Sequence, residues 1–122
     1  MIIDHVGIAV TDYEKSKRFY TLILAPLEIK PLVEHKGWIG FGKNQPEFWF
    51  GPNKTIQQFT HVAFKATTEK AIDEFYKRAI QEGAICKGKP KLRDDYYPNY
   101  YSAFIMDYDS HTIGAVLHIG YI

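Results

Sequence analysis

The chain has 122 residues, 46% hydrophobic and 16% aromatic, enough for one folded domain with a sizeable core and too apolar for a disordered segment. A net charge of +1 without an extended basic face argues against a nucleic-acid partner. The single cysteine, Cys86, excludes an internal disulfide and suits a reducing compartment; with no signal segment and no apolar run of membrane-spanning length, a cytoplasmic protein that does not engage membranes is expected.

Residues 2–10 read as a strand. Ile2, Val6, Ile8 and Val10 are β-formers, and alternation sends His5, Gly7 and Ala9 to the opposite, mostly small face. Thr11-Asp12-Tyr13-Glu14 has capping-box spacing, with Thr11 at the cap, and opens a helix whose stripe is Phe19, Tyr20, Ile23 and Leu24. Pro26 ends it. Strands follow at Ile29–Glu34, Trp38–Phe41 and Phe48–Phe50, punctuated by glycine-containing turns.

The pattern then repeats. His5-Val6-Gly7-Ile8-Ala9-Val10-Thr11 before Phe19-Tyr20 matches His61-Val62-Ala63-Phe64-Lys65-Ala66-Thr67 before Phe75-Tyr76 at one offset of 56 residues (61 − 5 and 75 − 19). The second helix is expected from about Thr68 to Glu82, with Ala71, Ile72, Phe75, Tyr76, Ala79 and Ile80 buried and Gly83 as its stop. A strand near Ala84–Lys87 and a hairpin of Tyr100–Met106 and Thr112–Ile119 complete a second β-α-β-β-β unit. The second unit is the longer, chiefly through a Lys89–Asn99 insertion.

The Asp4-His5-Val6-Gly7-Ile8-Ala9-Val10 strand with its capped helix, the His61-Val62-Ala63-Phe64 strand and the Asn99-Tyr100-Tyr101…Asp107-Tyr108-Asp109 segment resemble the vicinal oxygen chelate superfamily. That superfamily includes glyoxalase I, extradiol dioxygenases and bleomycin-resistance proteins. The resemblance spans essentially the whole chain and implies one α+β domain over residues 1–122. Two βαβββ modules, 1–56 and 57–122, would form a curled mixed sheet around a cleft, in a homodimer. It also implies a divalent metal such as zinc, iron, nickel or manganese, with His5 and His61 at two ligand positions. The remaining two, usually glutamates, fall at Trp49 and Gly114. Tryptophan is donor-only and glycine has no ligating side chain, so the metal site is incomplete.

Two functions follow from this donor set. In one, a binding protein holds a small aromatic or amphipathic compound in a cleft lined by Trp38, Trp49, Tyr100 and Tyr101, with room opened at Gly114. In the other, a metal-dependent lyase, isomerase or dioxygenase acts on a substrate with vicinal oxygens that take the places of the missing carboxylates.

Phe41 and Phe104 read as core. Cys86 reads as a buried small apolar group, and Glu47 as a spare carboxylate pointing to the other face or the rim. The alternating Lys87, Lys89, Lys91 and Arg93 run reads as a solvated edge that discourages aggregation, or else as a lid meeting an anionic substrate. The tyrosines from Tyr96 to Tyr101 could cover the cleft mouth or a subunit contact.

Overall fold

The computed structural model of the chain describes residues 2–95 and 99–119. Tyr96 and Tyr97 of the tyrosine-rich stretch therefore lie outside the described residues. The first module contains β1 (Val6–Val10), α1 (Tyr13–Leu24), β2 (Lys30–His35), β3 (Trp38–Gly42) and β4 (Phe48–Pro52). The second contains β5 (His61–Lys65), α2 (Glu69–Gln81), β6 (Ile85–Arg93), β7 (Tyr100–Met106) and β8 (Thr112–His118).

Each module carries its own four-stranded mixed sheet, in the orders β1-β4-β3-β2 and β5-β8-β7-β6. The first strand of each runs parallel to the last, and the other pairs are antiparallel. Identical order in both halves is the structural form of the sequence repeat. The α+β arrangement of two βαβββ modules is thus observed.

Alternation decides which face meets the helices. In the first module Ile8, Val10, Phe48 and Phe50 are buried on the helix side, against Phe19, Tyr20, Ile23 and Leu24 of α1. Tyr20 packs 5.2 Å from both Phe48 and Phe50. In the second module Ile72, Phe75 and Ala79 of α2 cover Ala103, Ile105, Ile113 and Ala115. Each large side chain so buried contributes roughly 1.5–3 kcal/mol. The cores join where Phe48 meets Phe64 edge-on at 5.1 Å, and where Arg78 Nη1 donates to the Leu22 carbonyl at 3.0 Å.

Several local expectations are corrected. The cap of α1 is Asp12, whose carboxylate accepts from Lys15 N–H at 3.1 Å. Thr11 is drawn away because its hydroxyl donates to Asp109 at 2.7 Å. Ile80 is exposed, lying at the margin of the α2 stripe. β6 runs on through Pro90 to Arg93, because irregularities on both sides of Gly88 restore its pairing with β7. Cys86 on this edge strand is exposed rather than buried.

A polar interlock holds the modules together. Tyr20 donates its hydroxyl to Asp107 Oδ2, while Asp107 Oδ1 accepts the N–H groups of Asp109 and His111, both at 2.9 Å. Burial raises the Asp107 carboxyl above the usual carboxylate range, and the hydrogen bond from Tyr20 and the nearby His111 only partly offset this. On the outer side of β1, Ala9 N–H donates to Gln57 Oε1 at 3.0 Å, and its carbonyl accepts from His111 Nε2 at 2.7 Å.

Candidate functional site

Both helices pack on one side of the sheets, so the chemistry is sought on the opposite, open faces. In the first module that face is floored by backbone. The register sets Gly7 beside Trp49 and Gly40 beside Trp49 on the other side. A Cβ at Gly40 would lie 2.8 Å from Trp49 Cε2, and one at Gly51 would lie 2.7 Å from Trp38 Cδ2. Both indoles therefore lie flat over glycines. Trp38 remains 42% exposed and Trp49 is half-buried, so ring faces are available to a ligand.

The second open face has the same construction with a different ring. Phe104 pairs with Gly114, and a Cβ at Gly114 would lie 2.5 Å from Phe104 Cδ1. This corrects two expectations: Phe104 is an open-face residue rather than core, and Gly114 opens no space because the Phe104 ring occupies it. His61 meets that ring edge-on at 5.5 Å, and the Arg93 guanidinium lies over it at 5.6 Å. Tyr100 sits beside His118 with ring centroids 5.7 Å apart. Tyr101 is turned the other way, towards α2, where its hydroxyl donates to Asp73 at 2.6 Å. The structure does not bring Tyr101 to the open face.

The two histidines line separate hollows within one chain. His5 is exposed, bonded through Nδ1 to Asp4 at 2.6 Å, and borders a hollow of about 430 Å³ between the start of β1 and β5. Phe41, Phe48 and Phe64 form its apolar wall, with Lys43, Glu47 and Lys65 also lining it. Glu47, expected at the other face or the rim, is exposed and borders this hollow together with the core-side rings Phe41 and Phe48. It lies two residues before Trp49, and its carbonyl accepts from Val6 N–H at 2.8 Å. His61 borders a second hollow of about 650 Å³ with Thr60, Gln57, Lys87, Met106 and Ser110.

This donor set does not fit a metal ion within a single chain. Among the described residues no group of three or more His, Cys, Asp or Glu side chains could hold one. Trp49 offers only an N–H, and position 114 lies under a phenylalanine.

Phe104 and Arg93 were missed as open-face residues. For Phe104 and Arg93 the signal lies in cross-strand register, which the linear sequence does not carry.

The sequence profile of the Glyoxalase/Bleomycin resistance protein/Dioxygenase superfamily matches residues 2–114, and the chain belongs to that superfamily. Among solved structures, it is 30% identical to a glyoxalase/bleomycin resistance protein from Albidiferax ferrireducens T118. That match covers 97% of this chain and 100% of the other, with a TM-score of 0.79. A glyoxalase/bleomycin resistance protein/dioxygenase family enzyme from Burkholderia phytofirmans PsJN shares the fold at 16% identity and a TM-score of 0.74, covering 95% and 98% of the two chains. So does the fosfomycin resistance protein FosX from Listeria monocytogenes, at 20% identity and a TM-score of 0.70 over 100% and 94%. That FosX structure, an E126Q mutant, is a complex with Mn(II) and 1S,2S-dihydroxypropylphosphonic acid. Comparison with curated proteins finds no match. No helix among the described residues is long and apolar enough to cross a membrane.

Proposed function

We propose that this protein binds a small organic molecule against the open sheet faces, as a metal-independent binding protein rather than a metalloenzyme. The observation that carries the reading is the seating of Trp38 and Trp49 on Gly51 and Gly40, with ring surface left exposed. A core aromatic would be covered; these rings are held in place from below and left uncovered above. Such a surface suits a planar, partly apolar compound.

The binding unit is a homodimer. The first open face carries the indoles and the second carries His61, Phe104 and Arg93, and within one chain they belong to separate sheets. A second copy related by a two-fold axis would set one face of each kind against the other and enclose two equivalent clefts.

Nitrobenzene, a neutral aromatic quencher, tests this directly. Saturable quenching of tryptophan fluorescence is expected in the native protein, together with a dimeric mass by light scattering. Trp38→Ala and Trp49→Ala should each weaken the quenching constant while leaving the circular dichroism spectrum unchanged. A monomer showing only linear, collisional quenching would refute the reading. Stoichiometric zinc, iron, nickel or manganese retained after dialysis, and lost in His5→Ala/His61→Ala, would favour the metal-dependent alternative.

A further inference from the structure

The lysines of the basic run on β6 are exposed, but Arg93 is different. Its guanidinium folds back across its own strand towards the sheet's open face. Gly88 makes this possible: a Cβ there would lie 2.8 Å from Arg93 Nη2. Three acceptors fix the group in place. Nε donates to Ser102 Oγ at 2.7 Å, and Nη2 donates to the Lys89 carbonyl at 2.9 Å while leaning on the Ser102 carbonyl at 3.4 Å. The Phe104 ring forms its floor, with Cζ 5.6 Å from the centroid. His61 stands against the same ring at 5.5 Å.

Among the described residues this charge has no recorded counter-charge. No ion pair joins Arg93 to a carboxylate among these residues, and its hydrogen bonds to them run through Nε and Nη2, none through Nη1. A part-buried guanidinium anchored only by neutral oxygens is incompletely compensated. A surface arginine with a purely solvating role would not need a glycine, a bulged strand and a serine to hold it flat. A pre-organised planar fork whose Nη1 makes no hydrogen bond to the described residues suits a carboxylate, because its geometry is set before the anion arrives.

We infer that Arg93, seated on Phe104 beside His61, is the anion-recognising group of the ligand site, and that the ligand is a small aromatic carboxylate. Its ring would lie on the aromatic surface and its carboxylate would meet Nη1 of Arg93. The inference rests on the open-face reading above and adds the charge of the ligand to it.

Isothermal titration with benzoate and with benzamide, its neutral counterpart of nearly equal shape, tests the assignment on the full chain. Native protein should prefer benzoate by about tenfold or more, the change expected for one charge-assisted hydrogen bond. Arg93→Gln should abolish the preference, and Arg93→Lys should restore only part of it. Gly88→Ala keeps the charge but displaces the guanidinium, and the atom it meets is the far end of a flexible side chain, so the fold is retained. It should lose the preference as Arg93→Gln does. Equal binding of benzoate and benzamide by native protein, or a preference that survives Arg93→Gln, overturns the assignment. Saturable nitrobenzene quenching with no gain for benzoate overturns Arg93 alone; failure of nitrobenzene, benzoate and benzamide together overturns the open-face reading as well.

Discussion

His111 Nε2 donates to the carbonyl of Ala9 at 2.7 Å, across 102 residues of chain, tying the hairpin of the second module to the outer edge of β1 in the first. The ring is wholly buried, and its Nδ1 has no partner among the described residues. With Gln57 taking the Ala9 N–H, both backbone groups at the middle of this edge are satisfied by side chains. An edge so capped offers no template for another strand.

His111→Ala should cost about 1–3 kcal/mol, since it leaves the Ala9 carbonyl buried without a donor. His111→Gln, which can still donate, should recover part of the loss. Urea denaturation of the three proteins measures it. Equal midpoints would show that the contact contributes nothing.

Asp107 sets a pH dependence. Burial raises its carboxyl above the ordinary 3.8, so over the interval from that value up to the folded one the native state holds more proton than the unfolded chain. This group's contribution to stability therefore falls as pH rises through that interval, opposite in sign to a salt-bridged aspartate. Asp107→Asn keeps an acceptor for the N–H groups of Asp109 and His111 and should flatten this part of the profile. Thermal melts from pH 3.5 upward, in both proteins, would reveal an unchanged slope if Asp107 is not responsible.

At alkaline pH the tyrosines should separate. Tyr13 is pushed up to about 12 by burial and by its hydrogen bond to Glu34, and Tyr101 to about 12 chiefly by its hydrogen bond to Asp73. Tyr20 is pushed well above the ordinary tyrosine value by burial and by the neighbouring Asp107 carboxylate. All three are acids held protonated by the fold, so stability is full below the ordinary tyrosine value near 10 and is lost as pH rises beyond it. Absorbance at 295 nm should show Tyr101→Phe removing a late-titrating group, with Tyr20 ionising only on unfolding. A single early transition for every tyrosine would contradict this.

Phe104 and Gly114 should be strongly coupled. Phe104→Ala should cost less than the roughly 3–5 kcal/mol of a core phenylalanine, because its ring is only half-buried. Gly114→Glu alone forces that ring aside. The double variant should be less destabilised than the sum of the singles, with a coupling of about 0.5–3 kcal/mol. Additive costs would mean that the ring does not occupy the space above position 114.

Much of the fold was legible in the sequence, because a duplicated strand–helix signal appears twice at one spacing. Period-two alternation separated Ile8 and Val10 from Gly7 and Ala9, and helical spacing found Phe19, Tyr20, Phe75 and Ala79. The site was less legible. Nothing local to Gly114 says that Phe104 lies upon it, and nothing local to Arg93 says that Gly88 and Ser102 hold it down. Those facts depend on register and on a bulge. Thr11 fitted a capping box, yet Asp109, ninety-eight residues away, claimed its hydroxyl. Cys86 looked apolar and small, but β6 is an edge strand and leaves it open to solvent.

The indoles of Trp38 and Trp49 rest on main chain rather than on the interior. Their height above the sheet is set by peptide geometry, which does not change when neighbouring side chains are exchanged. On the proposed binding role, selectivity can therefore drift, by swapping one ring for another or trimming it, without disturbing what keeps the molecule folded. Replacing a glycine is the costlier change, because a side chain at position 40 or 51 lifts the indole that rests on it.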